Sequence, residues 1–270
     1  MSCFKQANRI VVKVGTSTIA YNTGLINIRR VESLVKVLAD LANSGKQVVL
    51  VTSGAIGVGC GKLGLHERPK DVPGKQAAAA VGQCELMYLY DNLFSAYNRT
   101  VAQVLLTKDV VDSENRKQNV INTFCRLLDL RVIPIINEND TVSIDELEGE
   151  QERFGDNDTL SAVVAGLVHA DALIILSDID GLYTDNPRTN PNAKLIPEVT
   201  KIDDSIRAMA SGAGSSHGTG GMITKINAAE ISMNAGIPMA VLSGEDPALL
   251  YELLAGGQVG THFIPTAGQR

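Results

Sequence analysis

The sequence predicts an α/β fold, a three-layer αβα sandwich around one mostly parallel sheet. Short, nearly continuous apolar runs, which are typical of strands covered on both faces, alternate along the chain with longer segments whose apolar residues recur at helical spacing. Neither an internal repeat nor a change in composition interrupts this alternation. We therefore expect residues 1–270 to form a single domain.

Composition and charge argue against several classes of partner. Of the 270 residues, 44% are hydrophobic and 20% are charged, as in an ordinary globular protein. The 24 Lys+Arg and 30 Asp+Glu residues leave a formal net charge of −6, which favours neither a nucleic acid nor an anionic membrane as partner. No apolar run is long enough to span a membrane or to serve as a signal peptide, so we expect a cytoplasmic protein.

The four cysteines show no pattern of disulfide or metal binding. They form no CxxC pair, and no histidine accompanies them at the spacing of a metal site. We expect free thiols, most of them in the core, in a reducing compartment. They are Cys3, Cys60, Cys84 and Cys125.

The first strand, at residues 9–15, contains Lys13 between buried valines. An ammonium group there is unfavourable unless it meets an anion, so Lys13 is a candidate for binding one. The alternative is an edge strand with Lys13 in water. Gly15 begins a turn of small residues whose backbone N–H groups could face the same anion.

A helix is predicted over residues 28–41, and a second buried strand over residues 47–52. Ser53, Gly54 and Ala55 follow that strand directly, at the edge where open parallel sheets bind ligands. A GxGxxG match at residues 59–64 begins well beyond the strand end and has no clear acidic partner, so we treat it as a chance match.

Four segments follow that carry no candidate site residue. The pattern predicts a helix at 76–97, a strand at 101–106, a charged loop at 108–117 and a helix at 120–130.

Two clusters of acids and amides mark the centre of the chain. The first contains Asp140 and follows a buried strand that begins at Val132. The second contains Asp156, Asn157 and Asp158, where a helix to about residue 168 begins. Such clusters suit a ligand that carries an ammonium group, although turn and cap chemistry is the simpler alternative because Asn and Asp favour both.

The next strand, at 172–176, leads into an acid-rich turn that contains Ser177 and Asp178. This turn lacks the spacing and the terminal Glu of an EF-hand, so we do not assign a calcium site. Short elements are also expected at 202–209 (helix), 237–243 (strand), 247–254 (helix) and 260–264 (strand).

A glycine-rich run at 211–221 leads directly into a helix that carries Lys225 in its first turn. It is either a flexible linker or a lid over a nucleotide phosphate. A lysine opposes the helix dipole at that place, which favours a bound anion and hence the lid.

Two lysines, glycine turns and a few acids suit phosphoryl transfer, which depends on positioning and charge neutralisation. The sequence contains no evident Ser-His-Asp pattern, which argues against covalent catalysis. Mg²⁺ is expected at the phosphates of a nucleotide, held largely by them and by water rather than by a protein metal site. The alternative is a non-catalytic sensor that binds nucleotide or amino acid.

Six motifs then carry a resemblance that spans nearly the whole chain. They lie at residues 10–17, 53–56, 134–142, 154–158, 177–183 and 218–222 with Lys225. Together they resemble the amino-acid kinase family, and the clusters at 137–140 and 154–158 resemble its glutamate 5-kinase members. Many of these members carry an additional C-terminal PUA domain, which we do not expect here. Ser177 stands where the family often has Thr.

The resemblance implies ATP-dependent phosphorylation of the γ-carboxylate of L-glutamate, the first step of proline biosynthesis. It also implies a homo-oligomer, inhibition by proline at the glutamate site and the 108–117 segment, and a glutamyl-phosphate reductase that accepts the product.

The resemblance also implies roles for individual residues. Lys13 and Lys225 would neutralise the transferring phosphoryl group, and Asp158 would orient them. Substrate would be held by Ser53, Gly54, Ala55, Asp140, Asp156 and Asn157. The nucleotide site would be lined by Lys13, Gly15, Ser177, Asp178, Thr219, Gly220, Gly221, Met222 and Lys225.

Overall fold

The computed structural model describes residues 3–21, 23–142, 156–212 and 221–266. Within these ranges the strands are β1 (Arg9–Val14), β2 (Gln47–Val51), β3 (Val101–Leu106), β4 (Ile133–Glu138), β5 (Ala172–Ser177), β6 (Glu198–Val199), β7 (Met239–Ser243) and β8 (Thr261–Phe263). The helices are α1 (Thr16–Ile19), α2 (Ile28–Asn43), α3 (Ala55–Leu63), α4 (Val72–Ser95), α5 (Lys108–Asp112), α6 (Glu114–Asp129), α7 (Asn157–Leu167), α8 (Asp204–Gly212), α9 (Met222–Asn234) and α10 (Leu249–Ala255).

The eight strands form one sheet in the order β3-β4-β2-β1-β5-β7-β8-β6. Every pair is parallel except β7 with β8. The chain builds outward from β1 through β2 on one side and later adds β5 on the other. A crevice at the carboxyl end of β1 is therefore the expected ligand position.

Two apolar cores lie on opposite faces of the sheet, which confirms the predicted sandwich. Successive residues of a strand point to opposite faces, so Ile10, Val12 and Val14 join the core covered by α2, α4 and α10. Val11 joins the second core, with α6, α7 and α9. This alternation determines which helices each strand residue can meet.

The predicted charged loop at 108–117 is wrong, because these residues lie mainly in α5 and at the start of α6. Val110 and Val111 pack against the second core, while Asp109 and Arg116 form an ion pair on the exposed side. Charges on the outer face of two short helices resemble a loop in sequence, because the apolar residues that reveal the helical period are few.

Two smaller expectations also need correction, and one strand was not expected. The turn after Gly15 is the one-turn helix α1, and the two-residue strand β6 has too little pattern to be found in sequence. The cysteines are free, but only Cys60 is buried, so the expectation of mostly core thiols is wrong.

The GxGxxG match is a packing feature. A Cβ at Gly59 would lie 1.8 Å from the carbonyl oxygen of Ala78 in α4, and a Cβ at Gly61 would lie 2.7 Å from the backbone of Gly24. Gly64 ends α3 with φ 65°. These glycines let α3 contact its neighbours closely and thereby fix the position of Gly54 at the start of this helix.

Candidate active site

A cleft of about 280 Å³ opens at the carboxyl ends of β1, β2, β4 and β5. Its lining includes most of the residues singled out in the sequence. Those are Lys13, Gly15, Ser53, Gly54, Ala55, Asp140, Asp156, Asn157, Asp158, Ser177, Asp178 and Lys225.

Lys13 lies on a central strand, so the alternative of an edge strand with this lysine in water is wrong. It is 8% exposed, and β1 pairs with β2 on one side and β5 on the other. Two residues after Val11, it points to the same face of the sheet, which α7 and α9 cover. This places its ammonium group at the first turns of those two helices.

Asp158 joins the two lysines. Its Oδ1 lies 2.6 Å from Nζ of Lys13, and its Oδ2 lies 3.2 Å from Nζ of Lys225. Thr224 donates its hydroxyl to the same Oδ2 at 2.8 Å. Asp158 is 1% and Lys225 5% exposed, so the cluster is buried where α7 begins beside α9.

The charges of this cluster leave it cationic. Burial raises the pKa of the Asp158 carboxyl, but Lys13, Lys225 and the hydroxyl of Thr224 outweigh burial and lower this pKa to about 2. The carboxylate is therefore ionised at neutral pH. Two ammonium groups and one carboxylate carry a net charge of +1, which suits an anion at the base of the cleft.

Backbone N–H groups also face the cleft. Gly15 follows β1 as the N-cap of α1, and a Cβ there would lie 3.7 Å from the Lys13 Nζ. Gly54 is the N-cap of α3 with φ 91°, a left-handed conformation that side chains disfavour. The first N–H groups of α3 are consequently directed at the cleft, and a helix N-terminus is a favourable place for an anion.

Hydrogen bonds within the protein fix the orientation of the Asn157 side-chain amide. Its Nδ2 donates to the carbonyl of Thr52 at 3.1 Å, to Oγ of Ser53 at 2.8 Å and to Oδ1 of Asn137 at 3.1 Å. Asn137 in turn donates to Oε1 of Gln83 at 3.0 Å. Because the amide hydrogens of Asn157 are used inside the protein, its Oδ1 remains to accept a bond from a ligand.

Asp156 is the N-cap of α7. Its Oδ1 accepts from the N–H groups of Asp158 at 2.7 Å and Thr159 at 2.9 Å, and its Oδ2 accepts from the Thr159 hydroxyl at 3.1 Å. Burial raises the pKa of the Asp156 carboxyl, with the charge of Asp158 adding to the rise and the bonds to Thr159 opposing it. The cap alternative therefore accounts for this residue, which also lines the cleft.

Ser177 and Asp178 lie at the other side of β1, at the end of β5. Ser177 donates its hydroxyl to Asp178 at 3.2 Å, and Asp178 forms an ion pair with Arg188 at 3.2 Å. Ser53 instead follows β2, and Asp140 follows β4. The sheet order thus separates the two groups of candidate residues, with the lysine cluster between them.

Two of the described candidate residues do not line the cleft. Met222 is 5% exposed and packs in the second core, and Gly221 is the N-cap of α9. Thr219 and Gly220 lie outside the described residues, as do most of the glycine-rich run and residues 143–155.

Several lining residues were not identified as candidates. Asn137 and Glu138 are buried at the end of β4, inside the strand rather than beyond it. Arg68 gave no signal, because an arginine in a polar loop is common. Thr224, which donates to Asp158 without lining the cleft, gave none because a lone hydroxyl is common. The remaining lining residues are Thr16, Ser17, Ile56, Gly57 and Leu176.

The comparisons with known proteins agree with this geometry. A model of the amino acid kinase family matches residues 8–243. The chain belongs to the amino acid kinase family. Its relatives include glutamate 5-kinases from Clostridium perfringens, 53% identical over 98% of both chains, and from Listeria innocua, 52% identical over 96% of this chain and 94% of the relative. The resemblance to glutamate 5-kinases and the prediction of a kinase-type enzyme are confirmed.

Solved structures of lower identity support the amino acid kinase fold. UMP kinase from Bacillus anthracis superposes with a TM-score of 0.65 at 16% identity, covering 97% of both chains. The T. acidophilum isopentenyl phosphate kinase gives a TM-score of 0.60 at 17% identity, covering 94% of this chain and 99% of that one. Among the described helices, none combines the length and apolarity needed to cross a membrane.

Proposed function

We propose that the chain transfers the γ-phosphoryl group of ATP to the γ-carboxylate of L-glutamate, giving L-glutamyl 5-phosphate and ADP. The observation that carries the proposal is the buried Lys13–Asp158–Lys225 cluster at the base of the cleft. Identity above 50% to glutamate 5-kinases over nearly the full length supports the choice of glutamate.

The two lysines neutralise the migrating phosphoryl group, and Asp158 orients them. A carboxylate oxygen of glutamate attacks the γ-phosphorus while the bond from that phosphorus to the bridging oxygen of ADP breaks. The γ-carboxyl, with an ordinary pKa of about 4.3, is already ionised at neutral pH, so the reaction needs no general base. Catalysis consists of positioning and of stabilising negative charge, for which a preorganised cation pair is suited.

The acceptor binds on the side of β2 and β4. Ser53 and the backbone of Gly54 and Ala55 hold the reacting carboxylate, because they offer a hydroxyl and the N–H groups at the start of α3. The ammonium group lies near Asp140, Asp156 and the acceptor Oδ1 of Asn157. Those residues all line the cleft.

The nucleotide binds on the side of β5. Gly15, Ser177 and Asp178 line that side of the cleft, and residues 219–225, with Thr219, Gly220, Gly221 and Met222 before Lys225, complete the site in this proposal. Mg²⁺ would neutralise the nucleotide phosphates. Within the described ranges, no group of three His, Cys, Asp or Glu residues is placed to hold a metal, so the ion would be bound by the phosphates and water and we assign it no protein ligands.

The family resemblance supplies the remaining parts of the proposal. We place the enzyme in the cytoplasm, as a homo-oligomer, at the first step of proline biosynthesis, with proline as inhibitor at the glutamate site and at residues 108–117. Its acyl phosphate is unstable in water, so a glutamyl-phosphate reductase must consume it promptly.

The test is coupled ADP release with L-glutamate, L-aspartate, N-acetylglutamate and carbamate as acceptors. We expect turnover with L-glutamate far above the other three. Turnover with another acceptor and none with L-glutamate would refute the choice of substrate. ATP binding without turnover of any acceptor would instead favour the non-catalytic sensor.

A further inference from the structure

The proposed substrate carries two carboxylates, and the cluster around Asp158 can serve only one of them. The reacting γ-carboxylate must lie beside Lys13 and Lys225. The α-carboxylate, which a chain of three carbon atoms separates from it, then needs donors of its own, since an ionised group that loses water without a partner is strongly destabilised.

Among the cleft-lining residues that the structure describes, three carry positive charge: Lys13, Lys225 and Arg68. Both lysines are held by Asp158. Arg68 differs from them, because its side chain is exposed and no hydrogen bond or ion pair to another described residue engages its guanidinium. It is therefore available to a ligand.

Arg68 lies on the acceptor side of the cleft. It belongs to the connection between α3, which begins where β2 ends, and α4, which leads to β3. The strands β2, β4 and β3 form one half of the sheet, and Ser53 and Asp140 lie at the ends of the first two. Ser177 and Asp178, on the nucleotide side, lie beyond β1.

The connection that presents Arg68 is held in place. Asp71 caps α4 by accepting from the N–H of Gly74 at 2.9 Å. A Cβ at Gly74 would lie 2.7 Å from Cβ of Pro69 and 2.8 Å from Oδ1 of Asp71, so the chain returns tightly on itself directly after Arg68. A fixed backbone reduces the loss of conformational entropy when the side chain binds.

We propose that Arg68 is a specificity-determining residue, whose guanidinium binds the α-carboxylate of the amino-acid acceptor through two parallel hydrogen bonds. The proposal rests on the proposed function and extends it to the end of the substrate that does not react. Two N–H donors of guanidinium match the two oxygens of a carboxylate, a geometry that lysine cannot reproduce.

The experiment compares two ligands that differ only at the α-carbon. L-Glutamate has the α-carboxylate, and 4-aminobutyrate is the same molecule without it. For Arg68→Met we expect KM for L-glutamate to rise on the order of 10- to 100-fold, as for loss of a hydrogen-bonded charge. The KM for ATP should stay the same, as should the inhibition constant of 4-aminobutyrate measured in competition with L-glutamate.

Two further variants complete the design. Arg68→Lys keeps the charge but loses the paired geometry, so its KM for L-glutamate should fall between the wild type and Arg68→Met. Lys70→Met removes a neighbouring exposed cation that does not line the cleft, and should change nothing. Thermal unfolding of each variant confirms that it is folded.

Three results would overturn the inference: no change in KM for L-glutamate, equal weakening of both ligands, or a rise confined to KM for ATP. In each case the wild type would still turn over L-glutamate, so the proposed function would stand. If the wild type fails with L-glutamate, the proposed function fails and this inference fails with it.

Discussion

At the scale of single residues, Asp158 is the centre of the buried charge cluster in the cleft. It is buried, and its two oxygens face two lysines that come from distant parts of the sequence. A buried ion pair is poor evidence for stability, because removing charges from water opposes the attraction between them. One lysine is enough to neutralise this carboxylate, so the second leaves the cluster with a net positive charge. Such a charge suits the binding of an anionic ligand better than a purely structural role.

Replacing Lys225 separates catalysis from stability. Lys225→Ala should lower kcat on the order of 10²–10³, because one cation that stabilises the transferring phosphoryl group is lost. The free energy of unfolding should fall by only about 1–2 kcal/mol, since Lys13 still pairs with Asp158. Steady-state kinetics at saturating substrates and urea unfolding measure the two effects. As control, Lys201→Ala alters an exposed lysine outside the cleft and should change neither.

If the free energy of unfolding falls by as much as the activation free energy of the reaction rises, Lys225 stabilises the fold and does not act on the substrate.

The pKa of Asp158 predicts an acid dependence of stability. Its pKa is about 2 in the folded protein and 3.8 as the ordinary value, so the unfolded chain takes up the proton first as pH falls. The ionised carboxylate therefore contributes about 2 kcal/mol above pH 3.8, and roughly half of this is gone at pH 3. The difference in unfolding free energy between the wild type and Asp158→Asn should narrow accordingly from pH 6 to pH 3.

Urea unfolding at the two pH values measures this difference. Asp91→Asn, at an exposed position on α4, is the control and should differ little from the wild type at either pH. A constant difference for Asp158→Asn would mean that the lysines do not hold the carboxylate ionised.

At the scale of elements, the helix α3 shows how packing positions the site. Its glycines face α4 on one side and the loop at Gly24 on the other, so the helix lies closer to both than side chains would allow. Because Gly54 and Ala55 begin this helix, the direction of its first N–H groups follows from that packing.

Adding one methyl group to α3 tests this. Gly59→Ala should lower the free energy of unfolding by about 1–3 kcal/mol, although alanine favours helices, because the new Cβ would lie 1.8 Å from a carbonyl oxygen of α4. Gly166→Ala in α7 is the matched control, since a Cβ there meets nothing within 4 Å. It should raise stability by about 0.4–1 kcal/mol. Equal effects at both positions, measured by urea unfolding, would contradict the close contact between α3 and α4.

At the scale of the whole molecule, the parallel sheet gathers the site from segments that are remote in the chain. The ends of β4, β2, β1 and β5 lie side by side in that order. This strand order places Ser53 and Asp140 on one side of Lys13. Ser177 and Asp178 lie on the other side. In the proposed function, the amino acid therefore lies on the first side and the nucleotide on the second, with Lys13 between them.

Sequence patterns were sufficient where a strand is an almost unbroken apolar run and failed where a short element has few apolar residues. The strands at 9–14, 101–106 and 172–177 were predicted within one or two residues because nearly every position in them is apolar. The helices α5 and α6 were partly mistaken for a loop, and β6 was missed, because their short apolar faces gave no period. Arg68 and Thr224 could not be recognised as candidate site residues from the sequence. Only the fold shows that Arg68 lines the cleft and that Thr224 contacts Asp158.

The sequence by itself determined the alternation of strands and helices, the glycine turn at Gly54, and the family, because hydrophobic period and glycine placement act over a few residues and motifs are local. The tertiary structure alone decided that Lys13, Asp158 and Lys225 meet on one face of the sheet, and that Met222 packs in the core. Those outcomes depend on strand register and on the helices that cover each face, and such distances between remote segments are not written in any local pattern.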